Sequence, residues 1–254
     1  VMGLKTRELF GLGLQDLIAF DTTDAYFYNE GTSAFVALPS VMTTVWSGAD
    51  YQFFYTENYA GAFWATNSKA GLHGYAITNF TNQLGAGPWT VDVTSAGNNF
   101  QVNDIIYLLN VTGAPSANNL IFGTVTVAGN PTFQMTATVG GPFTNGVPTT
   151  GIVLSSSVSK TGQDGIRYYG TLSNGTGWAN YNPPIDPNSA LVGALLMFAY
   201  RGYLVFLNTT EGNEAGVQNF GNRARWTQIG TPYYSEPVPT APKSFTDTLS
   251  RAFS

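Results

Sequence analysis

The stretch GNRARWTQIG at 221–230 sets two arginines one residue apart, with a tryptophan directly after them, in a chain that has ten Lys and Arg in all. Planar guanidinium groups in such a pair suit carboxylates, phosphates or carbonyl edges. In a strand, alternation sends Arg223 and Arg225 to one face and Asn222, Ala224 and Trp226 to the other. Trp226 then reads as a core wedge. The arginines read as a multi-donor interface edge, set against carboxylates of a neighbouring blade or subunit. A nucleic-acid grip calls for far more positive charge than a chain of net charge −5 provides.

Other reactive residues are few. The chain has no cysteine and one histidine, which excludes disulfides, thiolate chemistry and Cys-based zinc sites. His73, in SKAGLHGYAI, has no recognisable carboxylate and nucleophile beside it, so it reads as a structural or exposed loop residue. In DTTD (21–24), Asp21 follows the apolar run LIAF and reads as a turn acid that caps backbone N–H groups. Asp164 in TGQDGI sits in a turn that superficially resembles the aspartate box of sialidase propellers, but its spacing is off by one. GLGL at 11–14 lacks the lysine and glycine spacing of a phosphate loop, and GNEAGVQN lacks the ligand alternation of a calcium loop. Four Asn-X-Thr triplets, at Asn79, Asn110, Asn174 and Asn208, are expected by coincidence where Asn and Thr are abundant. No catalytic residue, cofactor or metal ligand is expected. Aromatic residues make up 14% of the chain, and exposed Trp64 or Trp178 would offer stacking platforms for sugar rings. The competing reading makes them core wedges, one to each repeated unit.

Charged residues account for 10% of the chain, against about 25% in an ordinary soluble domain. Thr, Asn, Ser, Gly and Tyr must cover the surface instead, a composition suited to packing against other chains. No stretch approaches the about 18 apolar residues of a membrane span; ALVGALLMFAY (190–200) is too short. The N-terminus lacks the basic and apolar regions of a signal peptide. It opens on Val, as a processed chain or a piece of a longer one would.

The elements that position these residues read as all-β. Short Val/Ile/Thr/Phe/Tyr runs alternate with Gly, Asn and Pro. Only residues 4–18 show a partial helical period, interrupted by two glycines. A loose repeat joins AYFYNEGTSAFVALP (25–39), FFYTENYAGAFWATN (53–67) and RYYGTLSNGTGWANYNP (167–183): an aromatic strand, a polar turn, then a strand with a large aromatic. ALLMFAY, YLVFLNT and RARWTQI supply a fourth unit. Repeated antiparallel units of this size predict propeller-like blades, in a partial propeller or a sandwich. No Lys or Arg occurs from Ala70 to Ser159. Within that stretch, 86–157 reads as an inserted, small-barrel-like β-module. Residues 1–85 and 158–235 then form one discontinuous propeller-like domain, and the proline-rich 236–254 an extended C-terminal arm.

The ordered motifs VMGLKTRE, LIAFDTTDAYFYN, VWSGADYQFFYTENY, FWATN, DGIRYYG…GTGWANYNPP and AYRGYLVFLNTTEG…NRARWTQIGTP resemble those of phage virion structural proteins. The likeness is to tail-associated proteins with propeller-like domains, similar to the nozzle proteins of short-tailed phages. It covers nearly the whole chain outside the inserted module and the arm. The resemblance implies location in the phage tail and a homo-oligomeric ring about the tail axis, with sixfold symmetry the expected arrangement. It further implies contact with neighbouring tail proteins, transient passage of DNA, and no enzymatic activity. An acidic lumen would let DNA slide past without sticking. A carbohydrate- or receptor-binding β-protein on the virion surface is the alternative expectation.

Overall fold

The computed structural model describes residues 2–9, 13–40, 45–72, 74–84, 89–113, 121–139, 145–155, 164–172, 175–227 and 246–250. The chain opens with a four-stranded antiparallel meander, β1 (Gly3–Leu9), β2 (Leu14–Phe20), β3 (Ala25–Asn29) and β4 (Ala34–Ala37). The segment with partial helical period is thus a hairpin, with Leu9 opposite Leu14 and Gly13 at φ 65° in its turn. A left-handed residue stops a helix and suits a tight hairpin, so the turn overrides the weak period.

A second hairpin follows, β5 (Tyr55–Tyr59) and β6 (Ala62–Thr66). Its turn residues Ala60 and Gly61 both have positive φ, the geometry whose twist matches paired strands. The chain then leaves to build a seven-stranded sheet from β7 (Tyr75–Ala76), β8 (Asn79–Leu84), β9 (Trp89–Thr94), β10 (Ile105–Gly113), β11 (Ile121–Val127), β12 (Thr132–Val139) and β13 (Pro148–Ser155). These strands run in the order β7-β13-β10-β11-β12-β9-β8 and curl into a half-barrel. The insert therefore begins at Tyr75 rather than at residue 86. Alternation in β8 puts Phe80 into the core of this sheet, and β7 extends its far edge, so both strands belong to it.

The chain returns as β14 (Ile166–Leu172) and β15 (Gly175–Asn180), and β14 pairs with β6 to make one sheet ordered β15-β14-β6-β5. The second and third repeats are thus two halves of a single sheet, because Ile166 to Tyr169 lie opposite Thr66 to Phe63. Within it, the repeat's aromatics Tyr169 and Trp178 are cross-strand partners. The last sheet holds β16 (Pro184–Asp186), β17 (Ser189–Tyr200), β18 (Tyr203–Asn213), β19 (Gly216–Trp226) and β20 (Thr246–Ser250), in that order. Part of the expected C-terminal arm, 246–250, is therefore an edge strand on β19; the rest of 236–254 lies outside the described residues.

The architecture is all-β and antiparallel, as a partial propeller or layered sandwich, with no helix among the described residues. The sheet β15-β14-β6-β5, the second of a stack of three, lies between the first and the last. Every residue of β6 is buried: Phe63 and Ala65 face the first sheet with Phe20, Trp46 and Trp178, while Ala62 and Trp64 face the last with Met197, Leu204 and Phe206. The insert repeats this device in β10. Ile106 and Leu108 enter its own core, and Tyr107 and Leu109 pack with Phe122 and Leu154 against Ala190 and Val192 of β17.

Insertion costs little here because departure and return are neighbours, with Thr66 directly opposite Ile166. Gly165 makes the return at φ 99°, where a Cβ would lie 2.8 Å from the Val192 carbonyl oxygen and 3.0 Å from that of Gly71. Strain and backbone clash act together at this position. Gly165→Ala is expected to lower stability by about 2–4 kcal/mol, and Trp64→Ala by about 3–5 kcal/mol, both read as a drop in the urea midpoint. Tyr51→Ala, at a largely exposed position, should change it by less than about 1 kcal/mol.

Candidate functional site

In the loop after β2, Asp21 Oδ1 accepts the Thr23 and Asp24 N–H groups, each at 2.7 Å, and Oδ2 accepts the Tyr26 hydroxyl. Burial works to raise its pKa, but those hydrogen bonds together hold it below the usual carboxylate value. This acid is engaged in its own turn.

Asp164 lies where the insert rejoins the second sheet. Its carboxylate accepts the Ser47 N–H at 2.9 Å, the Ser47 hydroxyl at 2.6 Å and the Asn67 amide at 2.6 Å, and pairs with Lys69 Nζ at 2.9 Å. Burial again pushes upward, and the donors from Ser47, Lys69 and Asn67 outweigh it, so the group stays ionised below its ordinary pKa. The buried Arg167 lies within reach of this charge and donates to Asn180, its cross-strand partner. Asn182 donates to the carbonyls of Gly71 at 2.9 Å and Leu191 at 3.1 Å, and its own carbonyl accepts the Tyr107 hydroxyl. These residues pin the first sheet's loop, both ends of the insert and the last sheet to one another. A groove of about 520 Å³ beside them is lined by Lys69, Gly71, Ile152, Asp164 and Glu214.

Arg223 and Arg225 do share a face, but it is the inward one. Arg225 stands opposite Phe206, whose ring is in the core, and is itself buried. It grips Glu211 on β18 with two bonds, Nε at 2.6 Å and Nη2 at 2.7 Å. Arg223 Nη1 reaches the same carboxylate at 2.6 Å, its guanidinium 3.5 Å from the centroid of the Phe220 ring, and Thr209 donates its hydroxyl at 2.7 Å. Burial raises the Glu211 pKa, and the Arg225 and Thr209 hydrogen bonds with the two arginine charges reverse the shift. The carboxylate expected on a neighbouring blade or subunit is therefore supplied by the adjacent strand of the same sheet. Trp226, expected as a core wedge, pairs with Val205 on the opposite, outward face and is half-buried. The inversion follows from Glu211, a buried counter-charge that makes the arginine side the enclosed one. The adjoining groove, about 470 Å³, holds Asp186 and Glu211 with Arg223 and Arg225, two charges of each sign, so it offers no net field to an anion.

Trp64 and Trp178, the sugar-stacking candidates, are 0% exposed. Trp64 packs edge-on to Tyr181, and Trp178 edge-on to Trp46 and Tyr169. Their rings are wedges between sheets and present no face to a ligand. His73 lies outside the described residues. Among the described residues no three His, Cys, Asp or Glu are grouped to hold a metal ion, and no helix is long and apolar enough to cross a membrane.

Among the exposed apolar residues, two groups lie on the outer faces at the ends of the stack, while others, Tyr51 and Val147 among them, lie elsewhere. On the first sheet the face turned away from the core shows Leu4 (60% exposed), Leu17, Tyr28 and Phe35 (46%), with the Tyr28 and Phe35 rings 5.4 Å apart. On the last sheet the insert covers Ala190 and Val192 but leaves Phe198 (38%) and Tyr200 (55%) open, beside the half-buried Leu196, Val205 and Trp226. No protein-family model, curated protein or solved structure matches this chain. These end faces escaped sequence reasoning because strand alternation says which residues share a face and not whether another layer covers it. Glu211 was legible in principle, two residues from Thr209 on one strand face. Its register with Arg223 and Arg225 depends on the irregular pairing near Asn208, which has φ 52°.

Asp164 and Glu211 both bind a proton less readily folded than unfolded. Their contribution is complete above the unfolded values, near pH 4, and is lost as pH falls through the lower folded ones. Asp164→Asn and Glu211→Gln are expected to cost about 2–4 kcal/mol at neutral pH. The gap from the parent protein should narrow below about pH 4, measured as urea midpoints at neutral and acidic pH.

Proposed function

We propose that this chain is a structural component of a bacteriophage virion, a nozzle-like tail protein that assembles into an oligomeric ring and contacts neighbouring tail proteins. The observation that carries the assembly reading is the stack of three sheets, buried between its layers and apolar on both outer faces. A sheet face of aromatic and aliphatic side chains is stable when another layer covers it, and soluble monomers rarely leave two such faces open.

The charge distribution supports the same reading. Three of the five arginines among the described residues, Arg7, Arg223 and Arg225, are each paired with a carboxylate of their own sheet, Asp16 or Glu211. A chain that lines or borders a DNA path without gripping it keeps its basic groups neutralised in this way. The virion assignment rests on the order of the motifs from VMGLKTRE to NRARWTQIGTP. The sugar-binding alternative loses its support with the burial of Trp64 and Trp178.

Sedimentation or mass photometry of the purified chain over a concentration series is expected to show a discrete multi-copy species that dissociates on dilution. A monomer throughout would overturn the assembly reading.

A further inference from the structure

We infer that the ring is built head to tail, the outer face of the first sheet of one copy packing on the uncovered part of the outer face of the last sheet of the next. This rests on the assembly reading and names its interface.

The first of these faces is a patch across β1–β4. Pairing places Leu4 in a row with Ala19, Tyr26 and Ala37, and Tyr28 beside Phe35. Glu8, two residues beyond Thr6 on this side, is the charged residue its strands bring to the face. The second is the part of β17–β19 beyond the insert. Phe198, Val205 and Trp226 form one row, Leu196, Leu207 and Ala224 the next, and Tyr200 stands opposite Tyr203 at the hairpin tip. No charged residue occupies those rows; Arg201, exposed in the tip and 5.4 Å from the Tyr200 ring, borders them.

Three features select a second copy as the occupant. Both faces belong to one chain and lie at opposite ends of one stack, so joining them repeats the packing already used twice inside it. Phe20, Trp46, Phe63 and Trp178 close the first internal layer, and Trp64, Tyr181 and Phe206 the second. The first sheet carries Glu8 and the exposed turn residue Glu30 against one exposed cation, Lys5, and the other rim carries Arg201, so the net charges are of opposite sign and favour unlike over like faces. The insert covers Ala190 and Val192 on the last sheet's outer face and leaves Phe198 and Tyr200 open to another sheet. Two different faces meeting give a heterologous contact, which closes into a ring or runs on as a filament.

The test uses Phe35→Lys and Phe198→Lys, each at an exposed position, with circular dichroism to establish that both fold. Either variant alone lacks one of the two complementary faces throughout its population and is expected to be monomeric. Mixed, they should form a one-to-one dimer and stop there, since only the intact first face of one and the intact last face of the other remain. If the parent protein assembles and either variant alone keeps the full-size species, or the mixture stays monomeric, the interface is wrong while the assembly reading stands. A Phe198→Lys variant that dimerises by itself would also overturn it, because first faces would then be meeting each other. A monomeric parent protein overturns both.

Discussion

Everything in this structure depends on the double burial of the second sheet. A strand buried on one face alternates apolar and polar residues; β6 is buried on both, so Ala62 to Thr66 has no solvated side. Its residues divide between two cores, one closed by the first sheet and one by the last. Among the described residues no contact of this scale joins the outer sheets directly. Loss of the Trp64 or Phe63 layer would free a neighbouring sheet together with its partners.

That central sheet is also discontinuous, which makes its polar junction decisive. Two hairpins far apart in sequence meet at β6 and β14 only if the excursion between them begins and ends in one place. Asp164, Ser47, Asn67 and Lys69 fix that place with directed hydrogen bonds, and Asn182 adds a tie to the last sheet. Buried charge is costly unless fully partnered. Four donors on a single carboxylate meet that requirement and hold the junction to one geometry. Glu211 does the same within the last sheet, fixing the register of β18 and β19 through Arg225.

Much of the fold was legible from residue order. The all-β class follows from alternation and turn residues, and the repeat of aromatic strand, polar turn and aromatic-bearing strand matches hairpins such as the one that pairs Tyr169 with Trp178. What alternation could not supply was long-range pairing. Nothing local to Tyr168 says that it lies opposite Trp64, so two repeats that read as separate units are halves of one sheet. The same limit misplaced the start of the insert, because β7 and β8 resemble host strands until they pair with β13 and β9. At the arginines, alternation grouped Arg223 with Arg225 correctly. It could not reveal that Glu211, on the preceding strand, would draw them inward and leave Trp226 outside.

The proposal that further copies of the chain complete an open stack of sheets is tested most directly by electron cryomicroscopy of the assembled chain. Adjacent copies are expected to set the β1–β4 sheet of one against the β17–β19 sheet of the next at the sheet-to-sheet spacing of about 10 Å, with Tyr28 and Phe35 buried against Phe198 and Trp226. Copies that meet instead through the inserted seven-stranded sheet, leaving Leu4 and Phe35 in solvent, would contradict it.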